Sequence, residues 1–386
     1  MSQHSKREYL QVMQARYHRA CKSQKQSLLD EVCQVCGYHR KHAIRLLNQV
    51  CNEFRPRRTP HRSFTYSLTT LSVLTAVWKV AGYPWSVRLK TLLHVWMPWI
   101  KQRYPITAEI ERQLLAISPR QIDRRLQSQK RKIRKRIYGR TKPGTLLKHQ
   151  IPIRTTHWDV TTPGYVEIDL VSHSGNSAAG DFIYSLNLTD IFSGWVETRA
   201  VMGKGYQGIL VALEEIGLTL PFDLKGIDSD NGSEFINDHL LRFCQYHHLE
   251  FTRGRPYKKD DNAHIEQKNW THVRKVLGWD RYDSPRALQA INAFYRGPWR
   301  VMMNLFQPSI KLMRKVRKGS RLVRKYDVPQ TPLDRLLAIP PECPETMKHW
   351  QAQRLQNDPF ELAERIEKQL EAIWKLANSR LSPHSG

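Results

Sequence analysis

Acidic residues are scarce in the first two fifths of this chain. Residues 1–155 hold 32 lysines and arginines against 7 aspartates and glutamates, while the rest of the 386 residues hold 30 against 28. Within a net charge of +27, so steep a gradient excludes a basic partner for that half and points to a polyanion. Long apolar runs are lacking as well: no stretch reaches the roughly 18 apolar residues of a spanning helix. The opening MSQHSKREYL has no apolar leader segment. Six cysteines are too few to staple so long a chain. The expectation is a cytoplasmic protein with free thiols and no membrane partner. With 40% hydrophobic and 10% aromatic residues, packed cores are within reach, and the length predicts two or three domains.

Nucleic acid is the polyanion the pattern favours, because no basic amphipathic helix with a continuous apolar face suits a membrane surface. Tyr9, Leu10, Met13 and Tyr17 fall at helical spacing. The stretch SQKQSLLDEVCQVCGYHRKHAIRLLNQ then reads as helix, Gly37 break, helix, with Ser23 or Ser27 as the first cap. Two short helices about a glycine turn, the second carrying Arg40, Lys41 and Arg45, predict a helix-turn-helix over residues 1–53. A plain three-helix core is the alternative. Cys33, Cys36, His39 and His42 could form a zinc set, but both cysteines follow the apolar rhythm of a helix and are read as buried thiols.

The proline- and arginine-rich FRPRRTPHRS marks a linker at 54–63. Helices follow near 68–81, 85–102 and 107–116. Ser118 and Pro119 open another, and its Arg120, Arg124 and Arg125 predict a second DNA-binding helix within residues 64–129. Trp78, Trp85, Trp96 and Trp99 are read as core rather than as base-stacking platforms. Lys130, Arg131 and Lys132 begin a dense positive run that makes 130–156 an arm for phosphates.

From Tyr165 the periodicity changes to two. GYVEIDLVSH puts Val166, Ile168 and Leu170 on one face and Glu167 and Asp169 on the other. DFIYSLNLTDIFSGWVETRAV reads as a hairpin about Asp190–Gly194. A helix over 206–217, a strand entering IDSDNGSEF, a helix in NDHLLRFCQYHHL, a strand in EFTRGRPY and a helix in DDNAHIEQKNWTHVRKVLGW complete a mixed sheet flanked by helices. Asp169 ends the first strand, Asp230 follows the fourth, and Glu266 rides the late helix. Three convergent carboxylates suit two Mg²⁺ ions, with Mn²⁺ as a substitute, because hard cations take oxygen ligands. Glu167 is read as a support behind Asp169, and Asp228 stays open as an alternative to Asp230. Asp190 is a turn residue, and Asp260 and Asp261 cap the glutamate helix. Asn231, Asn262 and His264 are read as supports of the carboxylates or DNA contacts. Lys268 and Arg274 are read as phosphate contacts, with a solvated helix face as the alternative.

The residues from about Thr156 to Leu337 resemble the integrase core of bacterial insertion-sequence transposases and retroviral integrases. The match is carried by VEID, DSDNGSEF and RPYKKDDNAHIEQKNW, with 35 residues between Asp230 and Glu266. The resemblance implies a ribonuclease-H-like α/β catalytic core at 157–308, preceded by all-α helix-turn-helix modules. A small basic β-rich region follows at 309–340, where Lys311–Lys325 holds eight basic residues and no acid, and a C-terminal helical appendage at 341–386. That last helix has an apolar face suited to self-association or to its own domain. The activity implied is metal-dependent 3′-end nicking and strand transfer by Asp169, Asp230 and Glu266. Its partners would be double-stranded DNA, as terminal inverted repeats and target, and further copies of the chain in a nucleoid-associated synaptic complex. A DNA-binding regulator with an inactive core and a ribonuclease-H-like nuclease are the competing readings.

Overall fold

The computed structural model describes residues 3–48, 66–131, 160–229, 238–253, 268–318, 321–341 and 344–378. They fall into two compact units, Met1–Thr65 and Tyr66–Gly386. In the first, helices α1 (Gln3–Arg19), α2 (Lys22–Cys36) and α3 (Arg40–Leu47) pack around Met13, Leu29, Val32, Cys36, Ala43 and Leu47. Spacings of three and four residues gather these side chains on one face of each helix. Each large aliphatic so buried contributes on the order of 1.5–3 kcal/mol. Helix α2 begins at Cys21 rather than at Ser23 or Ser27, because the Gln24 side chain reaches back to accept the Cys21 N–H at 3.0 Å. It stops at Gly37, which takes φ +66° and donates to the Cys33 carbonyl at 2.9 Å. The Cys36 thiol lies in the core, where burial pushes its pKa up.

The second unit opens with α4 (Leu68–Val80), α5 (Ser86–Arg103), α6 (Ala108–Ala116) and α7 (Pro119–Arg131). Ser67, Thr107 and Ser118 cap α4, α6 and α7, accepting from Thr70, Ile110 and Gln121 N–H groups. Leu89, Leu92, Leu93, Trp96 and Ile100 of α5 are all fully buried. The Trp96 indole donates to the Phe306 carbonyl at 3.1 Å and meets the Phe360 ring edge-on at 5.3 Å. Through α5 the four helices share one continuous apolar core with the sheet that follows. Trp78, Trp96 and Trp99 are buried as expected, but Trp85 is not: it is 79% exposed.

That sheet holds β1 (Tyr165–Ser172), β2 (Ile183–Asp190), β3 (Val196–Met202), β4 (Gly226–Ser229) and β5 (Glu250–Arg253) in the order 3-2-1-4-5. The first three strands run antiparallel, while β4 pairs in parallel with β1 and β5 with β4. Helix α8 (Tyr206–Gly217) carries the chain from β3 across to β4, and α9 (Asp238–Tyr246) from β4 to β5. This is the mixed sheet flanked by helices that the sequence periodicity predicts.

Edge strand β3 is covered by two amides rather than by another strand. Asn304 accepts the Val196 N–H at 2.9 Å and donates to its carbonyl at 2.8 Å. Asn292 does the same for Ala200, at 2.8 and 2.9 Å. These clasps satisfy backbone groups that would otherwise invite a further strand.

Strands β6 (Leu312–Lys318) and β7 (Arg321–Tyr326) form the expected basic hairpin. The last helix, Pro359–Trp374, buries Phe360, Leu362, Ile366, Leu370 and Ile373, and its Trp374 indole donates to the Val276 carbonyl at 2.8 Å. Its apolar face therefore packs on its own unit, and the helix is part of the core rather than an appendage. Among the described residues, no helix is long and apolar enough to cross a membrane.

Candidate active site

Asp169 stands in the second half of β1, opposite Asn187 of β2, and the preceding Ile168 is opposite Ser229, the last residue of β4. Its carboxylate is only partly buried. One oxygen accepts the Leu170 N–H at 2.7 Å, and the other accepts the Asn269 amide at 2.5 Å. Asn269 opens a π-helical turn, Asn269–Arg274. Its own carbonyl oxygen accepts from the Asn187 amide at 2.8 Å, and the Thr198 hydroxyl donates to Asn187 at 3.4 Å. Thr198, Asn187 and Asp169 face one another across β3, β2 and β1. A relay of neutral donors thus crosses the sheet and ends on the Asp169 oxygen, fixing its orientation.

Asp230 directly follows Ser229, and Glu266 precedes Asn269 by three residues. Both lie outside the described residues, as do Lys132, Asn231, Asn262 and His264. Among the described residues, no group of three His, Cys, Asp or Glu side chains could hold a metal ion.

The rival acids are accounted for differently. Asp228 is 2% exposed and accepts the Thr252 hydroxyl at 2.6 Å. Glu167, also 2% exposed, is its register partner on β1. Both are buried, whereas Asp169 is partly exposed. Asp190 shapes the hairpin turn as expected: its oxygens accept the Gly164 N–H at 2.9 Å and the Ser193 N–H at 2.6 Å, while burial pushes its pKa up.

Two residues read as phosphate contacts are engaged internally. Lys268 is buried and donates to the Gly194 carbonyl at 3.1 Å. Burial, reinforced by Arg88 and Arg335, pushes its pKa down to about 7. Arg274 lies over the Trp279 ring at 4.0 Å, and burial lowers it to about 10. The helix that carries them packs against β1, so its inward face is core. Other basic residues do face solvent. On α7, Arg120, Arg124, Arg125 and Arg131 are exposed, while Lys130 pairs with Asp123 at 2.5 Å. On α3, Lys41 and Arg45 are exposed, and Arg40 is paired with Asp30.

Asn187 and Asn269 are the site residues that sequence reasoning missed. The signal was present: asparagine is unusual inside a strand, and SLNLTD places one in the middle of β2.

The chain matches no protein-family profile. It is 35% identical over 338 residues to the uncharacterized protein y4rM of Sinorhizobium fredii (strain NBRC 101917 / NGR234), a match that spans 87% of this chain and 96% of that one. The crystal structure of the catalytic core domain of BIV integrase is similar over 45% of this chain and 94% of that one, at 17% identity and a TM-score of 0.30. That likeness is too loose to define the fold by itself.

Proposed function

The chain belongs to the same family as y4rM, and from its geometry we propose that it is a DNA transposase of the integrase type. In this reading it binds the ends of a mobile element, nicks their 3′ ends and joins them to target DNA. The observation that carries the proposal is the Asp169 carboxylate, oriented by Asn269 on a strand whose parallel neighbour leads straight into Asp230. Asp230 follows Ser229 directly in the chain, and Glu266 lies three residues before Asn269.

The donor chemistry fits a hard divalent cation, because the three candidate ligands offer oxygen alone and Asp169 is oriented by a neutral amide. Asp169, Asp230 and Glu266 would hold two Mg²⁺ ions, which when bound offset charge on the scissile phosphate and ease loss of a proton from the attacking water or 3′-hydroxyl. The chain's own task would be to orient those carboxylates and to present the DNA. Exposed Lys41 and Arg45 on α3, and Arg120, Arg124 and Arg131 on α7, would take phosphates. Both helices would then act as helix-turn-helix readers of the terminal repeats, and joining two ends together would call for a multimer.

The test is incubation with Mg²⁺ and duplexes ending in the repeats that flank the gene. Joined product is expected from the unaltered protein and none from Asp169→Asn, Asp230→Asn or Glu266→Gln, with end binding retained. Cleavage without joining would favour the plain nuclease. Full joining by Asp230→Asn would overturn the assignment.

A further inference from the structure

Trp85 departs from two local rules at once, and the backbone leading to it is firmly built. The chain leaves α4 by a paired turn in which the Tyr83 N–H donates to the Trp78 carbonyl at 2.9 Å and the Gly82 N–H to the Lys79 carbonyl at 3.0 Å. Gly82 takes φ +74° there, as such a turn requires. Tyr83 then takes φ +62°, a conformation costly for a bulky side chain. Its ring stands edge-on to Trp78 at 5.0 Å, and the Trp78 indole donates to the Pro84 carbonyl at 3.1 Å. Trp85 comes next, at the cap position of α5, where Ser, Asp or Asn would bond the first free N–H; no cap bond is made. The large indole is left 79% exposed, at a cost in apolar hydration. A strained Tyr83, followed two residues later by an unfilled cap and an exposed indole at Trp85, marks a functional position rather than a packing accident.

Its surroundings identify the partner. Ser86, the next residue, donates its hydroxyl to Asp123 of α7 at 2.8 Å. Arg120 and Gln127 lie about one helical turn to either side of Asp123, Arg124 is adjacent, and all three are exposed. Ser86 thus ties the start of α5 to α7, the helix that carries these arginines. An exposed aromatic plane at a helix start tied to an arginine-bearing helix matches a nucleotide whose base has left the stack, with the phosphates going to arginine and the base to the ring.

We propose that Trp85 is a stacking platform for an unpaired nucleobase of DNA held by α7. The proposal deepens the nucleic-acid reading above and rests on it. For the test, the full-length protein is titrated with a labelled blunt duplex and with the same duplex carrying a short single-stranded 3′ overhang that contains aminopurine. Trp85→Ala, Trp85→Phe and Arg124→Ala are run beside the unaltered protein. Expected are tighter binding of the overhang DNA than of the blunt duplex and quenching of the aminopurine. Trp85→Ala should lose about tenfold in affinity for the overhang DNA, together with the quench, and keep its grip on the blunt duplex. Trp85→Phe should retain most of both, and Arg124→Ala should weaken both DNAs alike. An unchanged unfolding midpoint in Trp85→Ala would show the loss to be local.

Overhang affinity and quenching in Trp85→Ala equal to those of the unaltered protein would overturn the platform. So would intact overhang binding with a lower assembly mass by light scattering, which would make the indole a subunit contact. Should the unaltered protein bind neither duplex, the nucleic-acid reading itself fails and the platform goes with it.

Discussion

Asn269 joins the two halves of the candidate site. Its amide donates to Asp169 while its carbonyl oxygen is held by Asn187, so neither group can turn without breaking the other bond. Asn269→Ala should therefore lower strand joining by about 10- to 100-fold, the usual effect of removing a residue that orients a ligand, with little change in thermal midpoint. Equal joining rates would sever the relay from the chemistry. A second prediction concerns His173, buried at the far end of β1 with Nε2 against the Ser185 hydroxyl at 2.8 Å. Burial, aided by Arg274, pushes its pKa from 6.5 down to about 3. Because the unfolded chain takes up that proton more readily, this position costs nothing above pH 6.5 and destabilises progressively as pH falls toward 3. Urea unfolding across that window should show His173→Gln losing less stability on acidification than the unaltered protein; parallel curves would refute this.

The edge of β3 shows how two side chains can stand in for a strand. Asn292→Ala or Asn304→Ala would leave a buried N–H and carbonyl unpaired, at a cost of about 1–3 kcal/mol per group, measurable by urea unfolding. The double variant should also associate through the bared edge, and light scattering at rising concentration would register it. These clasps also show where the sequence is legible. Period-two alternation gave β1 and its two faces, and Ser118 gave the start of α7, because such signals are local. Asn292 and Asn304 carry no such local signal, since their partners Ala200 and Val196 are roughly a hundred positions away. Lys268 misled for the same reason: a lysine next to a candidate catalytic glutamate reads as a phosphate contact until Gly194 is brought against it. Trp85 misled in the other direction, because helical spacing with three core tryptophans says nothing about where α5 begins.

At the scale of the chain, the charge gradient sets how binding should respond to salt. If α7 grips phosphates, the logarithm of affinity should fall linearly with the logarithm of salt concentration. Replacing Arg120, Arg124 and Arg131 together by alanine should flatten that line by roughly three contacts' worth; an unchanged slope would remove α7 from the DNA surface. Helix α7 and Asp169 belong to one compact unit, joined through the buried face of α5. The span from helix to carboxylate is therefore settled once, when the unit folds, as the jaws of a calliper are settled by a locking screw. A duplex seated on α7 would be scored at a fixed offset from its seat, and lengthening the segment between α7 and β1 should leave that offset where it was.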